Sequence, residues 1–279
     1  MLAALERISH GALRLAGARS LYANTSVARV HGYELRGPGH GTFVLLHGMG
    51  TTSTSYLHVA LKLVRHAERV LLPDLPGHGR SERTGAQLDR ESLSTAMLEA
   101  LDHWIAEGDP AVVLGTSLGG ATAIGYALER PSRVRSLVLA SPAGAPLSTR
   151  ELEEVRSRFN LRTRSDARRF LGELLHRTPL YFRLLEPSLA RQLGSETVQG
   201  FLASVKPEDF FTAEQLGSLA CPVHVLWGQS DRILPRSSLS FLRDALPPGT
   251  RFEEPIALGH SPHLERPDLL VESLLRARG

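Results

Sequence analysis

Short apolar runs recur along the chain, and almost every position in each run is apolar. The runs are TFVLL at 42–46, RVLLP at 69–73, AVVLG at 111–115, VRSLVLA at 134–140 and PVHVLW at 222–227. Continuous runs of this kind, without an alternating polar face, are typical of strands that are covered on both sides. The pattern therefore predicts a parallel sheet inside the molecule.

Helical patterns separate these runs. Between 90 and 107, apolar residues recur at near-helical spacing, with Leu93 and Met97 on one stripe, and Pro267 marks the start of a C-terminal helix. Alternating strands and helices imply βαβ units, so we predict an α/β fold whose mostly parallel, twisted sheet is flanked by helices. Residues 26–37 predict an antiparallel hairpin leading into that sheet.

The alternation stops between about Gly144 and Gly217, where only helical segments are recognisable. An insertion of this kind between two parallel strands predicts a helical cap, or lid, over the strand ends where ligands of open α/β sheets bind. The predicted organisation is an N-terminal amphipathic helix at 1–23, a core at 24–143 and 218–279, and the cap at 144–217.

Composition fits one large domain: the chain has 279 residues, of which 42% are hydrophobic, and a formal charge of +3. Nearly all its basic residues are arginines, and no dense basic helix with interleaved aromatics appears, so we expect no nucleic-acid partner. The single cysteine, Cys221, excludes an internal disulfide and a cysteine-based zinc site.

The first segment has no continuous apolar region of the secretory type, and no apolar run is long enough to span a bilayer. We therefore expect a cytoplasmic protein. Because the N-terminal helix and the cap are both basic and partly apolar, peripheral contact with a lipid surface is the alternative.

Ser117 is the first candidate for chemistry. It lies in Gly115-Thr116-Ser117-Leu118-Gly119-Gly120, between an apolar run and a helical stretch. Glycines allow the tight strand-turn-helix that would present the hydroxyl at the carboxyl edge of the sheet, beside a helix N-terminus. The motif alone is too short to be decisive, so the prediction depends on partner residues.

A serine nucleophile needs a base, and the base needs an orienting acid. His260 and His263 share a loop before the last helix, and either could reach the carboxyl edge of the sheet. Asp231 directly follows the run at 222–227 and reaches the same edge. The turn His47-Gly48-Met49-Gly50 follows another run, so the backbone N–H groups of Met49 and Leu118 could hold an oxyanion.

Five motifs together resemble the α/β-hydrolase superfamily: HGMG, DLPGHGRSE, GTSLGG, GQSDRILP and GHSPHLERP, in this order. The resemblance covers about residues 27–279. It implies that Ser117 is the nucleophile, Asp231 the acid, His260 rather than His263 the base, and Met49 and Leu118 the oxyanion donors. It also implies structural roles for His47, Asp74 and His78.

The resemblance implies a serine esterase or lipase that cleaves carboxylic esters with an apolar acyl or alcohol part, through an acyl-enzyme and without a cofactor or metal. Branches with an aspartate nucleophile are excluded because Ser117 occupies that position. A carbon–carbon bond hydrolase is an alternative, although this chain has Ser261 where those enzymes often have tryptophan. A non-catalytic small-ligand receptor or interaction module is the other.

Overall fold

The computed structural model describes residues 1–82 and 88–279, and this part of the chain contains an eight-stranded sheet. The strands are β1 (Arg19–Asn24), β2 (Arg29–Arg36), β3 (Thr42–Leu46), β4 (Arg69–Pro73), β5 (Ala111–Thr116), β6 (Val134–Ala140), β7 (Val223–Leu226) and β8 (Arg251–Glu253). Their order is β1-β2-β4-β3-β5-β6-β7-β8, with β2 antiparallel to both neighbours and the other pairs parallel. The predicted fold class is confirmed.

Helices cover both faces of the sheet. Those in the described residues are α1 (Leu2–Leu15), α2 (Leu57–Leu63), α3 (Arg90–Trp104), α4 (Leu118–Glu129), α5 (Thr149–Phe159), α6 (Arg164–Leu174), α7 (Glu186–Leu193), α8 (Glu196–Ser204), α9 (Ala213–Gly217), α10 (Arg236–Ala245), α11 (Pro262–Glu265) and α12 (Pro267–Arg278). One core layer packs α2 and α12 against the sheet, and the other packs α3, α4 and α10. Each helix among them is too short or too polar to cross a bilayer.

The five predicted strands appear where the apolar runs lie. All residues of β3, β5 and β7 are buried, which explains why their sequences carry no alternating polar face. The edge strand β8 was not predicted, because its three residues are charged or only half-buried.

The N-terminal prediction is wrong in its boundaries. Helix α1 ends at Leu15 rather than continuing to residue 23, because Gly17 adopts φ +88° and the Ala18 N–H donates back to the Leu13 carbonyl. The chain then forms β1, which pairs with β2 as the antiparallel hairpin. The hairpin thus starts at Arg19, not within residues 26–37.

Residues 144–217, here called the insertion, connect β6 to β7 through helices α5 to α9 and hold no strand in the structure. The apolar faces of the insertion, including Phe159, Phe170 and Phe201, pack into the same core layer as α3 and α4. Helix α1 packs against α2, α7 and the helical turn Ser53–Tyr56. The insertion and α1 therefore lie next to each other.

Candidate active site

Ser117 lies between β5 and α4 in a strained backbone conformation. Its φ is +53° and ψ −119°, a region that residues other than glycine rarely adopt. Its N–H donates to the Ala140 carbonyl at 3.1 Å, and its carbonyl accepts from the N–H groups of Gly120 and Ala143 at 2.8 and 3.0 Å. These bonds hold the strained turn in place and fix the hydroxyl at the carboxyl edge of the sheet.

Two glycines are required here because backbone segments approach closely. A Cβ at Gly115 would lie 2.2 Å from the Gly119 carbonyl oxygen, and a Cβ at Gly119 would lie 2.2 Å from the carbonyl oxygen of Leu46 on β3. Any side chain at either position would force the strand and the helix apart. The glycines around the serine therefore serve the geometry of the turn.

Asp231 and His260 meet in the loops that follow β7 and β8. Asp231 Oδ2 lies 2.7 Å from His260 Nδ1, and both side chains are buried. Asp231 Oδ1 accepts the Ile233 N–H at 2.8 Å. Burial raises the pKa of Asp231, but the adjacent His260 and these hydrogen bonds hold the pKa below its ordinary value. An ionised carboxylate can only accept a hydrogen bond, so His260 Nδ1 carries a proton and donates it in a hydrogen bond to Asp231. In the neutral ring, Nε2 is then the nitrogen that can accept a proton.

The structure brings the three predicted triad residues to one place. Ser117 and His260 line the same cavity of about 60 Å³, and Asp231 is hydrogen-bonded to Nδ1 of the His260 ring. The loop at 254–261 carries the predicted base and is here called the base loop. The insertion also holds this loop in place, because the His260 N–H donates to the Leu174 carbonyl at 2.7 Å.

His263, the competing histidine, lies in the wall of the same cavity but has no acid partner. Neither of its ring nitrogens has a hydrogen-bond partner among the described residues, and its ring packs against Tyr56 with centroids 4.8 Å apart. Burial lowers its pKa to about 3. With no carboxylate to orient it, His263 lacks what a general base requires, and the geometry favours His260.

The two predicted oxyanion donors flank Ser117. Met49, Ser117 and Leu118 together line a second cavity of about 100 Å³. Within the residues that the structure describes, neither the Met49 nor the Leu118 backbone N–H donates to a protein acceptor. The Leu118 N–H also opens α4, where the helix dipole favours negative charge.

Two buried histidines brace the loop that carries Met49. His47 Nε2 accepts the Leu75 N–H at 3.0 Å, so its Nδ1 carries the proton and donates to the Gly48 carbonyl at 2.8 Å. His78 Nε2 accepts the Gly50 N–H at 3.1 Å in the same manner. Burial lowers both pKa values, that of His47 to about 4, so both rings are neutral and structural.

Asp74 is fully engaged with protein groups. Its carboxylate accepts from His31 Nδ1 at 2.8 Å and from the backbone N–H groups of Ser53 and Arg80 at 2.8 and 3.1 Å. Burial opposes ionisation, but these bonds and the nearby His47 lower its pKa to about 2. These contacts are consistent with the structural role that the family resemblance implies for Asp74.

Glu265 is a contributor that the sequence analysis missed. Its carboxylate accepts the Gly259 N–H at 2.8 Å and the His176 N–H at 2.7 Å, which links the base loop to the insertion. Glu265 stands inside the motif GHSPHLERP, but a single glutamate in a short helix looks like an ordinary solvated charge in sequence.

Comparisons with known proteins identify the family of the chain. The model of the alpha/beta hydrolase family matches residues 43–273. A pimeloyl-[acyl-carrier protein] methyl ester esterase of Proteus mirabilis is 29% identical, covering 88% of this chain and 95% of the relative. A 2-hydroxy-6-oxononadienedioate/2-hydroxy-6-oxononatrienedioate hydrolase of Burkholderia vietnamiensis is 27% identical, covering 74% of this chain and 76% of the relative.

Among solved structures, the carboxylesterase CesB of Bacillus subtilis superposes with a TM-score of 0.77 at 21% identity, covering 96% of this chain and 95% of that one. At this identity the likeness concerns the fold alone. The family match, however, spans most of the chain and includes every motif of the site. The chain therefore belongs to the alpha/beta hydrolase family.

Proposed function

We propose that this protein is a serine hydrolase that cleaves carboxylic esters. The observation that carries the proposal is the Asp231–His260 pair, which opens onto the same cavity as a serine held at positive φ. The two unpaired backbone N–H groups beside that serine supply what a tetrahedral oxyanion needs.

In the proposed mechanism, His260 Nε2 takes the proton of the Ser117 hydroxyl while the oxygen attacks the ester carbonyl. The resulting oxyanion accepts hydrogen bonds from the N–H groups of Met49 and Leu118. The carbon–oxygen bond to the alcohol then breaks, and the alcohol leaves with the proton from His260. Water, deprotonated by His260, attacks the acyl-enzyme, and the acid is released as Ser117 recovers its proton.

The two cavities beside Ser117 divide the substrate. The leaving alcohol receives its proton from His260, so it must lie in the cavity that His260 lines, here called the leaving-group cavity. The acyl part then occupies the other, here called the acyl cavity, which is about 100 Å³ in volume and lined by apolar residues such as Val155, Phe201 and Leu234. Its small size favours short acyl groups.

The insertion acts as the lid in this proposal. It supplies Phe159 and Phe201 to the acyl cavity and Phe170 and Leu174 to the leaving-group cavity. Covering the ester with these side chains excludes water from the oxyanion site, which strengthens its hydrogen bonds.

Carbon–carbon bond hydrolysis is the second candidate, because the Burkholderia relative is named for it. That relative's named substrate is a dicarboxylate, which needs cationic partners when it is buried. Among the described residues, no arginine or lysine lines either cavity beside Ser117. This absence favours a neutral ester.

The test compares the natural protein with Ser117→Ala on p-nitrophenyl esters of graded acyl length. We expect kcat/KM to fall at least about 10³-fold in S117A, since the nucleophile is lost. Ser136→Ala is the matched control, because Ser136 is also buried, lies on neighbouring β6 and donates its hydroxyl to the Ala277 carbonyl, away from the cavities. Equal activity in S117A and the natural protein would overturn the proposal in favour of a non-catalytic module, and a fluorophosphonate probe must label S136A but not S117A.

A further inference from the structure

Helix α1 carries an exposed apolar stripe. Leu5, Ile8 and Leu15 recur at helical spacing, and all are exposed, Ile8 to 67% and Leu15 to 92%. The opposite face is the one that packs on the protein, with Leu13 completely buried. The outward apolar face is therefore not required for packing α1.

A second exposed apolar segment lies in the insertion. The helical turn Leu180–Leu184 exposes Leu180, Tyr181 and Leu184, the last to 58%. Tyr181 and Leu5 line one groove of about 350 Å³ between α1 and the insertion, so the two exposed apolar segments flank the same opening.

This groove adjoins the leaving-group cavity. Gly50, Thr51, Leu174, Leu189 and Leu264 line both spaces. The exposed side chains, together called the patch, therefore lie beside a groove that shares a wall with the cavity lined by Ser117 and His260.

The charge around the patch is positive. Arg7 and Arg14 are exposed, lie one heptad apart on the flank of the apolar stripe, and form no ion pair with another described residue. Arg183 is exposed in the second segment. The single acid of α1, Glu6, is half-buried on the inward side and lines the groove, so no carboxylate of α1 opposes the arginines.

We propose that α1 and residues 180–184 form a docking face for an anionic lipid surface, and that ester substrates enter from this surface through the groove. Apolar side chains flanked by arginines match the boundary between acyl chains and phosphate headgroups. A rigid protein partner on this face would close the groove, whereas a fluid lipid surface can both cover the patch and supply apolar molecules. Docking on the lipid surface does not depend on the proposed function, whereas the entry of ester substrates rests on it.

The test measures flotation with vesicles of phosphatidylcholine alone and of phosphatidylcholine with phosphatidylglycerol. The natural protein is expected to float with the anionic vesicles and to be released by salt. The double variant Ile8→Ser/Leu184→Ser should bind at least about tenfold more weakly, because two apolar side chains lose their contact with the acyl chains. Arg7→Gln/Arg14→Gln should lose the preference for anionic vesicles. Ile256→Ser is the matched control, since Ile256 is 76% exposed and does not line the groove.

Catalysis is measured in parallel on two esters. Hydrolysis of soluble p-nitrophenyl butyrate should be unchanged in I8S/L184S, which also reports correct folding. Hydrolysis of hexadecyl butyrate embedded in anionic vesicles should fall at least about tenfold, in line with the lost binding. S117A should lose both activities yet float like the natural protein, so failure of the proposed function and failure of docking give different results.

Three outcomes would overturn the docking face. Binding of the natural protein to neither vesicle type would do so, as would equal vesicle binding by I8S/L184S and I256S. A concentration-dependent dimer that I8S/L184S abolishes, seen by analytical ultracentrifugation without vesicle binding, would instead assign the patch to a second copy of this chain.

Discussion

The two carboxylate oxygens of Asp231 have different partners, and this difference orients the catalytic base in our proposal. Oδ1 accepts backbone N–H groups from Ile233 and Leu234, and Oδ2 faces His260 Nδ1. The N–H groups of Ile233 and Leu234 need a hydrogen-bond acceptor. The atom at the Oδ1 position must therefore be an oxygen and cannot be an NH₂ group, which only donates.

Asp231→Asn should therefore reduce kcat by about 10⁴-fold. The amide oxygen must face the backbone donors, which turns the NH₂ group toward His260 Nδ1. That nitrogen then becomes an acceptor, the proton moves to Nε2, and His260 can no longer take the proton of Ser117. Steady-state kinetics with a short-chain p-nitrophenyl ester measure the effect, and Asp244→Asn on the exposed side of α10 is the control. Activity within a few-fold of the natural protein would contradict the assigned roles.

At the scale of elements, the insertion helices divide the proposed substrate between two cavities. Phe201 on α8 lines the acyl cavity, and Phe170 on α6 lines the leaving-group cavity. Both rings are buried in the same core layer. Alanine substitutions of the two residues can therefore be compared directly, because the residues differ mainly in which cavity they line.

Phe201→Ala should extend the acyl range. Two further methylenes buried in the enlarged acyl cavity favour the hexanoyl ester over the butanoyl ester by about tenfold relative to the natural protein. Phe170→Ala should leave the preference between the hexanoyl and butanoyl esters unchanged, although it removes a similar amount of packing. The ratio of kcat/KM for the two p-nitrophenyl esters is the measurement, and a shift in F170A but not F201A would reverse the assignment of the cavities.

The elements that could be predicted were those whose signal is local. Strands β3 and β4 were located from their apolar runs because burial on both faces leaves only the first residue of each strand, Thr42 or Arg69, polar. Ser117 and Asp231 could be placed because each follows such a strand. His260 was placed instead by its loop before the last helix and by the family resemblance. Strand β8 depends on pairing with β7, and the early end of α1 depends on one glycine. The bond from the His176 N–H to Glu265 joins residues 89 positions apart. None of these leaves a periodic pattern in the sequence.

Buried neutral histidines make the free energy of unfolding of the whole molecule depend on pH. Burial lowers the pKa of His47 to about 4 and of His263 to about 3, and lowers that of His78 too, from an ordinary value of 6.5. Below pH 6.5 the unfolded chain gains protons that the folded protein does not, so the free energy of unfolding decreases as the pH falls toward these values. The depressed pKa of Asp74 acts in a separate window, below its ordinary 3.8.

His263→Phe should make the protein less sensitive to acid. Removing one buried neutral histidine should reduce the loss of unfolding free energy between pH 7 and pH 5 by about 2 kcal/mol. Urea unfolding at the two pH values measures this, with His103→Gln on the exposed side of α3 as the control. Because His263 has no acid partner, the variant should also retain ester hydrolysis. An unchanged loss between the two pH values would contradict the buried, neutral state of this ring.

The bonds from Leu174, His176 and Glu265 join the base loop to the end of α6, so these two segments form one mechanical unit. A hinge that opened the whole insertion away from the sheet would either break this junction or carry the backbone of His260 with it. Opening by the remaining helices leaves the junction intact. Access to the site and alignment of its base are therefore separable only if the movement leaves the end of α6 in place, as a movement of α7, which packs against α1, would do.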